Sequence, residues 1–124
     1  MKIAISSTGK DLDSEIDTRF GRCNYFVFVD VEDKEIKNIE AVENQSQNQM
    51  GGAGVTSSEF VANKGIKAII TGNVGPRAFS VFNQFNIDIY QENGKIKDAL
   101  EKFINGELKK VDAPTGPELH KKWK

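Results

Sequence analysis

The 124-residue sequence predicts a single α/β domain with the element order βββαβαβα. Short runs of β-branched and aromatic residues, joined by polar connections, dominate the first third of the chain. After a glycine-rich loop, helical patterns alternate with short apolar runs, which is typical of βαβ units with parallel strands and helices on the sheet faces. A chain of this length supports one hydrophobic core.

The first three strands are predicted at residues 2–6, 25–31 and 36–42. The run "YFVFVDV" is the strongest strand pattern, because all but one of its residues are aromatic, β-branched or apolar. The third run alternates less regularly, so we expect an exposed edge strand there. These strands form a hairpin-based unit that precedes the parallel part of the sheet.

The second half of the chain predicts a helix at 55–64, a strand at 67–71, a helix from Pro76, a strand at 87–90 and a helix at 95–105. Thr56 and Glu59 have the spacing of a capping box, and Pro76 suits the first turn of a helix. Phe79, Phe82 and Phe85 are expected to be core residues of the second helix. Residues 1–111 form the predicted domain, and residues 112–124 a basic tail that is extended or disordered.

Composition excludes several functional classes. The net charge of −1 gives no general attraction for nucleic acid or for a membrane surface. No apolar run approaches the ~20 residues that span a bilayer, and the N-terminal apolar run is too short for a signal peptide, so we expect a cytoplasmic protein. One cysteine and one histidine cannot build a zinc site or supply four thiolates to an iron–sulfur cluster.

Three loops are expected to meet at the carboxyl ends of the parallel strands, where open α/β sheets bind ligands. Glycines there allow close approach to the backbone, arginines supply forked donors, and two helices begin there with free N–H groups. This pattern favours an anion. The candidate binding residues are Arg19, Phe20, Gly21, Arg22, Gly51, Gly52, Gly54, Thr71, Gly72, Asn73, Gly75 and Arg77.

Each candidate has a simpler interpretation. Arg19 and Arg22 either clamp an anion or pair with Asp17 or Glu15 and remain solvated. Cys23 is either a soft metal ligand or a small buried strand residue, and free cysteines are among the most buried residues. Met50 either offers a thioether to a soft metal or is an ordinary loop residue.

Several segments together resemble one known family, the dinitrogenase iron–molybdenum cofactor biosynthesis family, which includes NifX and the C-terminal domain of NifB. They are "FGR", "YFVFVDV", "GGAG", "GIKAIITGNVGPRAF" and "ALEKFINGELKKV", and the resemblance covers about residues 1–111. It implies a ribonuclease-H-like, three-layer α/β/α fold with a five-stranded mixed sheet.

The resemblance also implies a function. Members of the family carry iron–molybdenum cofactor or a related iron–sulfur cluster. In this protein we expect such a cluster to be held largely non-covalently, or to be absent from the purified protein. Their partners would be cluster donor and acceptor proteins, and we expect a monomer or a weak homodimer. The sequence departs from the family where histidines implicated in cofactor binding have no equivalent, since His120 in the tail is the only histidine. It also has Cys23 where relatives often have a small residue such as alanine.

The sequence favours a non-enzymatic cluster carrier or scaffold over two other functional classes. An enzyme of the ribonuclease-H type needs several carboxylates at the centre of the sheet, and the first strand carries none. No nucleophile motif or phosphate-binding loop motif occurs. A small-molecule or regulatory domain that binds a phosphate or nucleotide at the same loops stays open as the alternative.

Overall fold

A computed structural model describes residues 1–115 and shows one five-stranded mixed sheet with the strand order β3-β2-β1-β4-β5. β1 pairs antiparallel with β2 and parallel with β4, β2 pairs antiparallel with β3, and β4 pairs parallel with β5. The strands are β1 Lys2–Ser7, β2 Tyr25–Glu32, β3 Glu35–Glu43, β4 Ala68–Thr71 and β5 Asp88–Gln91.

Three α-helices complete the predicted βββαβαβα order: α1 Ala53–Ala62, α2 Pro76–Gln84 and α3 Ile96–Ile104. A short 3-10 turn, Phe20–Arg22, precedes β2. α1 begins two residues before its predicted start, because Gly52 adopts a left-handed conformation (φ 70°) as the N-cap residue. Thr56 and Glu59 therefore lie within α1 and form no capping box.

The sheet separates two apolar clusters, which confirms the three-layer α/β/α arrangement. On one face, Phe26, Phe28 and Ile69 pack with residues of α1 and α2 such as Val61 and Phe82. On the other face, residues such as Ile3, Ile5 and Val27 pack with Ile96 and Leu100 of α3. The strand order, with only β2 antiparallel to β1, is compatible with a ribonuclease-H-like fold.

The register of the strands fixes the two ends of the sheet. Ser7 of β1 pairs with Tyr25 of β2, and Thr71 of β4 pairs with Gln91 of β5. The carboxyl ends of β1, β4 and β5 therefore lie at one end, together with the start of β2 and the end of β3. The loops predicted to converge are the loops at this end.

The edge strand β3 is confirmed as exposed. Most of its residues are exposed, including Ile36 and Ile39, while Val42 packs partly against the core near the end of the strand. The other edge of the sheet, β5, is partly covered by the segment that follows α3. Lys110 forms a bridge with Tyr90, and the Val111 N–H donates to the Ile89 carbonyl oxygen at 2.7 Å.

Residues 107–115, here called the strap, continue from α3 past β5 and reach the far face of the sheet. Leu108 packs against the α3-side cluster, whereas Val111 packs against the α1/α2-side cluster. Of the predicted tail, residues 116–124, including His120, lie outside the described residues. Within residues 1–115, the helices are too short and too polar to cross a membrane.

One predicted core residue is not in the core. Phe82 is fully buried and Phe79 is partly buried, but Phe85 is 49% exposed. The reason is that α2 ends at Gln84, so Phe85 is the C-cap residue and no longer follows the helical period. The helical pattern was extended one residue too far.

The two phenylalanines therefore provide a matched stability test. Phe82→Ala should lower the free energy of unfolding by about 3–5 kcal/mol, because it leaves a cavity in a closed core. Phe85→Ala should lower it by less than about 1 kcal/mol, since its ring is half solvated. Urea denaturation of both variants measures the difference, and equal losses would contradict the packing described.

Candidate functional site

An open cavity of about 530 Å³ lies at the carboxyl ends of β1 and β4. Three chain segments form its wall: the turn before β2, the start of α1, and the loop that leads into α2. The loops expected to meet at the carboxyl ends of the parallel strands therefore do meet there. The lining residues are Thr18, Arg19, Phe20, Gly21, Arg22, Ala53, Gly54, Asn73, Gly75, Pro76, Arg77 and Ala78.

Phe20 anchors the turn that presents both arginines. Its ring is almost fully buried, with its centroid 5.5 Å from that of Phe26 and 5.3 Å from that of Phe82 in an edge-on arrangement. Aromatic pairs at these distances add stabilisation beyond the buried area. The apolar ring thus fixes the position of the neighbouring backbone, which carries Arg19 and Arg22 at its two ends.

Gly21 lies against the start of α1. A Cβ atom at Gly21 would lie 2.7 Å from the backbone nitrogen of Gly54 and 2.8 Å from its Cα. A Cβ atom essentially never approaches another heavy atom this closely, so any larger residue would push the turn away from the helix. Glycine is required at this position for close approach rather than for an unusual φ angle.

A buried polar cluster, missed by the sequence analysis, holds the same turn. The Asn44 amide nitrogen donates to the carbonyl oxygens of Gly21 (3.0 Å) and Cys23 (2.9 Å). The Ser57 hydroxyl also donates to the Gly21 carbonyl oxygen, at 3.2 Å. Both side chains are buried, so these bonds satisfy groups that would otherwise be unpaired. The signal in the sequence was the position of Ser57, four residues before Val61 and therefore on the same face of α1.

Arg19 is held by Asp17, as one of the two sequence interpretations proposed. The Asp17 carboxylate accepts bonds from the Arg19 backbone N–H (2.9 Å), Nε (3.1 Å) and Nη2 (3.0 Å). Asp17 is buried, whereas the Arg19 side chain is 62% exposed at the cavity. The carboxylate occupies one edge of the guanidinium and leaves the donors of the other edge available. Its hydrogen bonds raise the pKa of Arg19.

Arg22 and Arg77 differ from Arg19 because no carboxylate among the described residues pairs with them. Arg22 donates through Nη1 to the carbonyl oxygens of Gln47 and Gln49, which tethers the loop between β3 and α1. Arg77 is exposed in the first turn of α2. The positive charges of these two side chains at the cavity are therefore not neutralised locally.

Two helices begin at this cavity without a side-chain cap. The N-cap residues are Gly52 for α1 and Gly75 for α2, and neither offers a side-chain acceptor. The first intrahelical bonds are donated by Thr56 and Phe79, so the earlier N–H groups have no acceptor within their helix. Both helix dipoles add positive potential at the cavity.

Four of the predicted binding residues do not line the cavity. Gly51 and Gly52 are exposed in the loop before α1, and Met50 beside them is 98% exposed. Thr71 is buried within 2.7 Å of the Ser6 hydroxyl, and Gly72 packs against Thr18, where an added Cβ would lie 2.6 Å from the Thr18 Cα. These residues shape the adjoining backbone instead of facing the cavity.

Cys23 is fully buried at the start of β2 and belongs to the α1/α2-side core. Burial raises the pKa of its thiol to about 12, so the side chain is a neutral thiol at physiological pH. A metal ligand must be a thiolate that can be reached. The surroundings of Cys23 favour the interpretation of this residue as a packed core residue.

Among residues 1–115, no three side chains of histidine, cysteine, aspartate or glutamate come together to hold a metal ion. The chemistry of the cavity is therefore that of hydrogen-bond donors and positive charge. It can bind and orient an anion.

Comparison with known proteins shows the family of this chain. The family model described as "Dinitrogenase iron-molybdenum cofactor" matches residues 1–106. The chain belongs to this family. An uncharacterized protein of Methanocaldococcus jannaschii is 40% identical over 114 residues, which cover 90% of this chain and 97% of that protein.

Solved structures show the same fold. The apo form of the orange protein from Desulfovibrio gigas has a TM-score of 0.82 and 31% identity, covering 92% of this chain and 95% of that one. A candidate NifB protein from Thermotoga has a TM-score of 0.78 and 32% identity, covering 94% of this chain and 98% of that one. The resemblance noted in the sequence is thereby confirmed.

Gly21→Ala should lower the free energy of unfolding by about 1–3 kcal/mol, because two backbone segments must separate to admit the new methyl group. Gly75→Ala is the matched control: an added Cβ meets no atom within 4 Å, and φ is −79°. Urea denaturation measures both. A Gly21→Ala variant as stable as the control would show that the turn does not depend on this contact.

The buried thiol predicts both a reactivity and a pH dependence. Cys23 should react with a disulfide reagent at pH 8 only after denaturation. Because burial raises the pKa of the thiol in the folded state above its ordinary value of 9.0, its contribution to stability is complete below pH 9 and is lost as the pH rises toward 12. Wild-type protein should therefore lose more stability than Cys23→Ala between pH 8.5 and pH 11. Parallel pH profiles of the two proteins would contradict this.

Proposed function

We propose that this protein is a non-enzymatic carrier or scaffold for an anionic metal–sulfur cluster, of the iron–sulfur or iron–molybdenum type, in cofactor biosynthesis. The observation that supports this most directly is the convergence of two uncapped helix N-termini and three arginines on one open cavity. The cluster is cargo that the protein receives and passes on.

Charge favours an anionic cargo. Of the three arginines, Arg19 is locally balanced by Asp17, while Arg22 and Arg77 have no carboxylate partner among the described residues. The lining contains no carboxylate. Fixed donors of this kind favour a multiply charged anion, because their positive ends are already oriented before it binds.

The donor set favours non-covalent binding. Cluster sulfides can accept hydrogen bonds from backbone N–H groups and from arginine, and such bonds influence the properties of a cluster. A covalent site of the usual kind would need several thiolates. Cys23, the only cysteine of the chain, is buried and neutral. The described residues thus fit a cluster that is bound intact and can be released intact.

An open cavity suits a carrier. A cluster in it would stay accessible from one side, so that a donor protein could deliver it and an acceptor protein could remove it. Cluster donor and acceptor proteins are accordingly the proposed partners, and the cytoplasm is the proposed compartment.

The positions of the acidic residues support a non-catalytic role. Asp30 pairs with Lys2 in the register of β1 and β2, and Asp88 pairs with Ala68 in the register of β4 and β5. Both therefore lie at the end of the sheet opposite the cavity. Metal-dependent hydrolysis would need carboxylates near the bound ligand.

A phosphate or nucleotide could use the same donors, so the geometry by itself does not separate the two ligands. Family membership favours the cluster. One structural neighbour, the orange protein from Desulfovibrio gigas, was solved in an apo form.

The proposal is tested by anaerobic reconstitution with iron, sulfide and molybdate, followed by absorption spectroscopy and metal analysis. Wild-type protein should retain metal and sulfide and show visible bands after desalting. Arg19→Ala/Arg22→Ala should lose most of both, because it removes two of the three cationic side chains of the cavity.

Arg77→Gln provides a cleaner second variant, since Arg77 makes no ion pair within residues 1–115 and its loss should leave the fold intact. The amount of cluster that this variant retains should fall by about tenfold at most, which is the loss expected for one charge-assisted contact. Lys34→Gln/Lys37→Gln, at the far end of the sheet, is the control and should bind normally. A wild-type protein that stays colourless and takes up no metal would refute cluster carriage and favour the phosphate alternative.

A further inference from the structure

The lining of the cavity divides into an apolar floor and a cationic rim. Its three most buried residues are all apolar: Phe20, Ala53 and Ala78 are between 3% and 5% exposed. Arg19 and Arg77, by contrast, are exposed residues of the same lining. A ligand in the cavity would therefore rest on apolar groups and meet positive charge around its outer side.

Few polar side chains of the lining are free to replace the water around an anion. Nη1 of Arg22 donates to two carbonyl oxygens of the loop before α1, and Asp17 occupies one edge of Arg19. In the orientation that satisfies both atoms of its amide, Asn73 donates to two carbonyl oxygens. Thr18 supplies the only hydroxyl among the lining residues that the structure describes. The free donors are mainly backbone N–H groups at the helix starts and the remaining edges of the arginines.

Hydration, rather than charge, distinguishes the anions that such a cavity accepts. The arginines and the helix N-termini attract any anion of a given charge. An oxyanion loses strong hydrogen bonds to water when it is placed against an apolar surface, which costs free energy. A sulfide is a larger and more polarisable atom and a weaker acceptor, so it loses less hydration and gains more dispersion contacts with the same surface. The apolar floor therefore favours an anion whose surface is sulfur.

Gly54, at the start of α1, is smaller than the fold requires. It is not among the glycines with a positive φ angle, and an added Cβ would meet only the Cβ of Ala78, at an ordinary contact distance of 4.0 Å. Glycine inside a helix is also less stable than alanine. Among the described residues, packing thus gives no reason for glycine at this position, in contrast to Gly21. A ligand that enters the gap between α1 and α2 gives one.

We propose that the cavity selects a weakly hydrated, sulfur-surfaced anion over an oxyanion of the same charge and shape, and that Gly54 and Ala78 determine this specificity. Gly54 leaves room for the ligand, and Ala78 gives it an apolar surface. This inference rests on the proposed function, because it concerns the ligand class of the same cavity.

The first test compares tetrathiomolybdate with molybdate. Both are tetrahedral dianions of the same metal, and they differ only in having sulfur or oxygen at the surface. Their affinities for the wild-type protein are measured by equilibrium dialysis in anaerobic, copper-free buffer at physiological ionic strength. Tetrathiomolybdate should bind at least about tenfold more tightly than molybdate, as expected when the oxyanion leaves polar groups unpaired against the floor.

The second test fills the gap. Gly54→Leu should bind tetrathiomolybdate at least about tenfold more weakly than wild type, because its side chain takes the place of the ligand. Gly51→Leu is the matched control, since Gly51 lies outside the lining and an added Cβ there meets no atom within 4 Å. It should bind normally. Urea denaturation confirms that each variant is folded, and Gly54→Ala, whose Cβ fits the observed space, should weaken binding in the same direction but less.

The third test changes the polarity of the floor. Ala78→Ser should reduce the preference for tetrathiomolybdate over molybdate by about threefold or more, because the new hydroxyl can donate to an oxyanion. Ala62→Ser makes the same change in the same apolar cluster but outside the lining, and should leave the preference unchanged. The ratio of the two affinities separates specificity from a general loss of stability, which would weaken the binding of both anions alike.

Three results would overturn the inference. Equal affinities for the two anions, or tighter binding of molybdate, would show that the floor does not select by hydration. Normal binding by a folded Gly54→Leu variant would show that the gap is not the ligand's position. If neither anion binds, the specificity is refuted as well. In each case retention of a reconstituted cluster by the wild-type protein would still support the carrier role, whereas loss of that cluster as well would refute both proposals.

Discussion

The cavity depends on one close approach between two backbone segments, Gly21 against Gly54. The contact joins the turn before β2 to the first turn of α1, although these segments are more than thirty residues apart in sequence. It places the free N–H groups of α1 beside the two arginines of the turn. Asn44 and Ser57 reinforce it by hydrogen bonding to the Gly21 carbonyl oxygen, and Phe20 anchors it in the core. Because these groups are already fixed, a ligand in the cavity would need little further ordering of the protein.

The three arginines have different roles because their surroundings differ. Asp17 orients Arg19 and balances its charge, so Arg19 is a rigid donor with reduced net attraction. Arg22 lines the cavity and also donates to the loop after β3, so it connects the two. Arg77 is solvated and adds charge at the start of α2. Two of the three arginines at the cavity are therefore held by hydrogen bonds, and one is solvated.

The sequence predicted the layout of the fold correctly because its signals were local. Alternating apolar residues and turn residues located all five strands and three helices, and the rule that ligands bind at the carboxyl ends of parallel strands located the cavity. Errors occurred where a single residue's backbone conformation decided the outcome. Gly52 in a left-handed conformation started α1 early, and the end of α2 at Gln84 turned Phe85 out of the core.

Local composition and periodicity by themselves determined the fold class and the cluster of loops with its arginines and glycines, because charge and glycine content are properties of residues rather than of contacts. Only the tertiary structure decided which candidates face the cavity: Gly54 and Gly75 do, whereas Thr71 and Gly72 are buried beside it. It also decided that Cys23 is a buried neutral thiol, and that Asn44 and Ser57 hold the site. Burial and hydrogen bonding at these positions arise from residues distant in the chain, so no local pattern could reveal them.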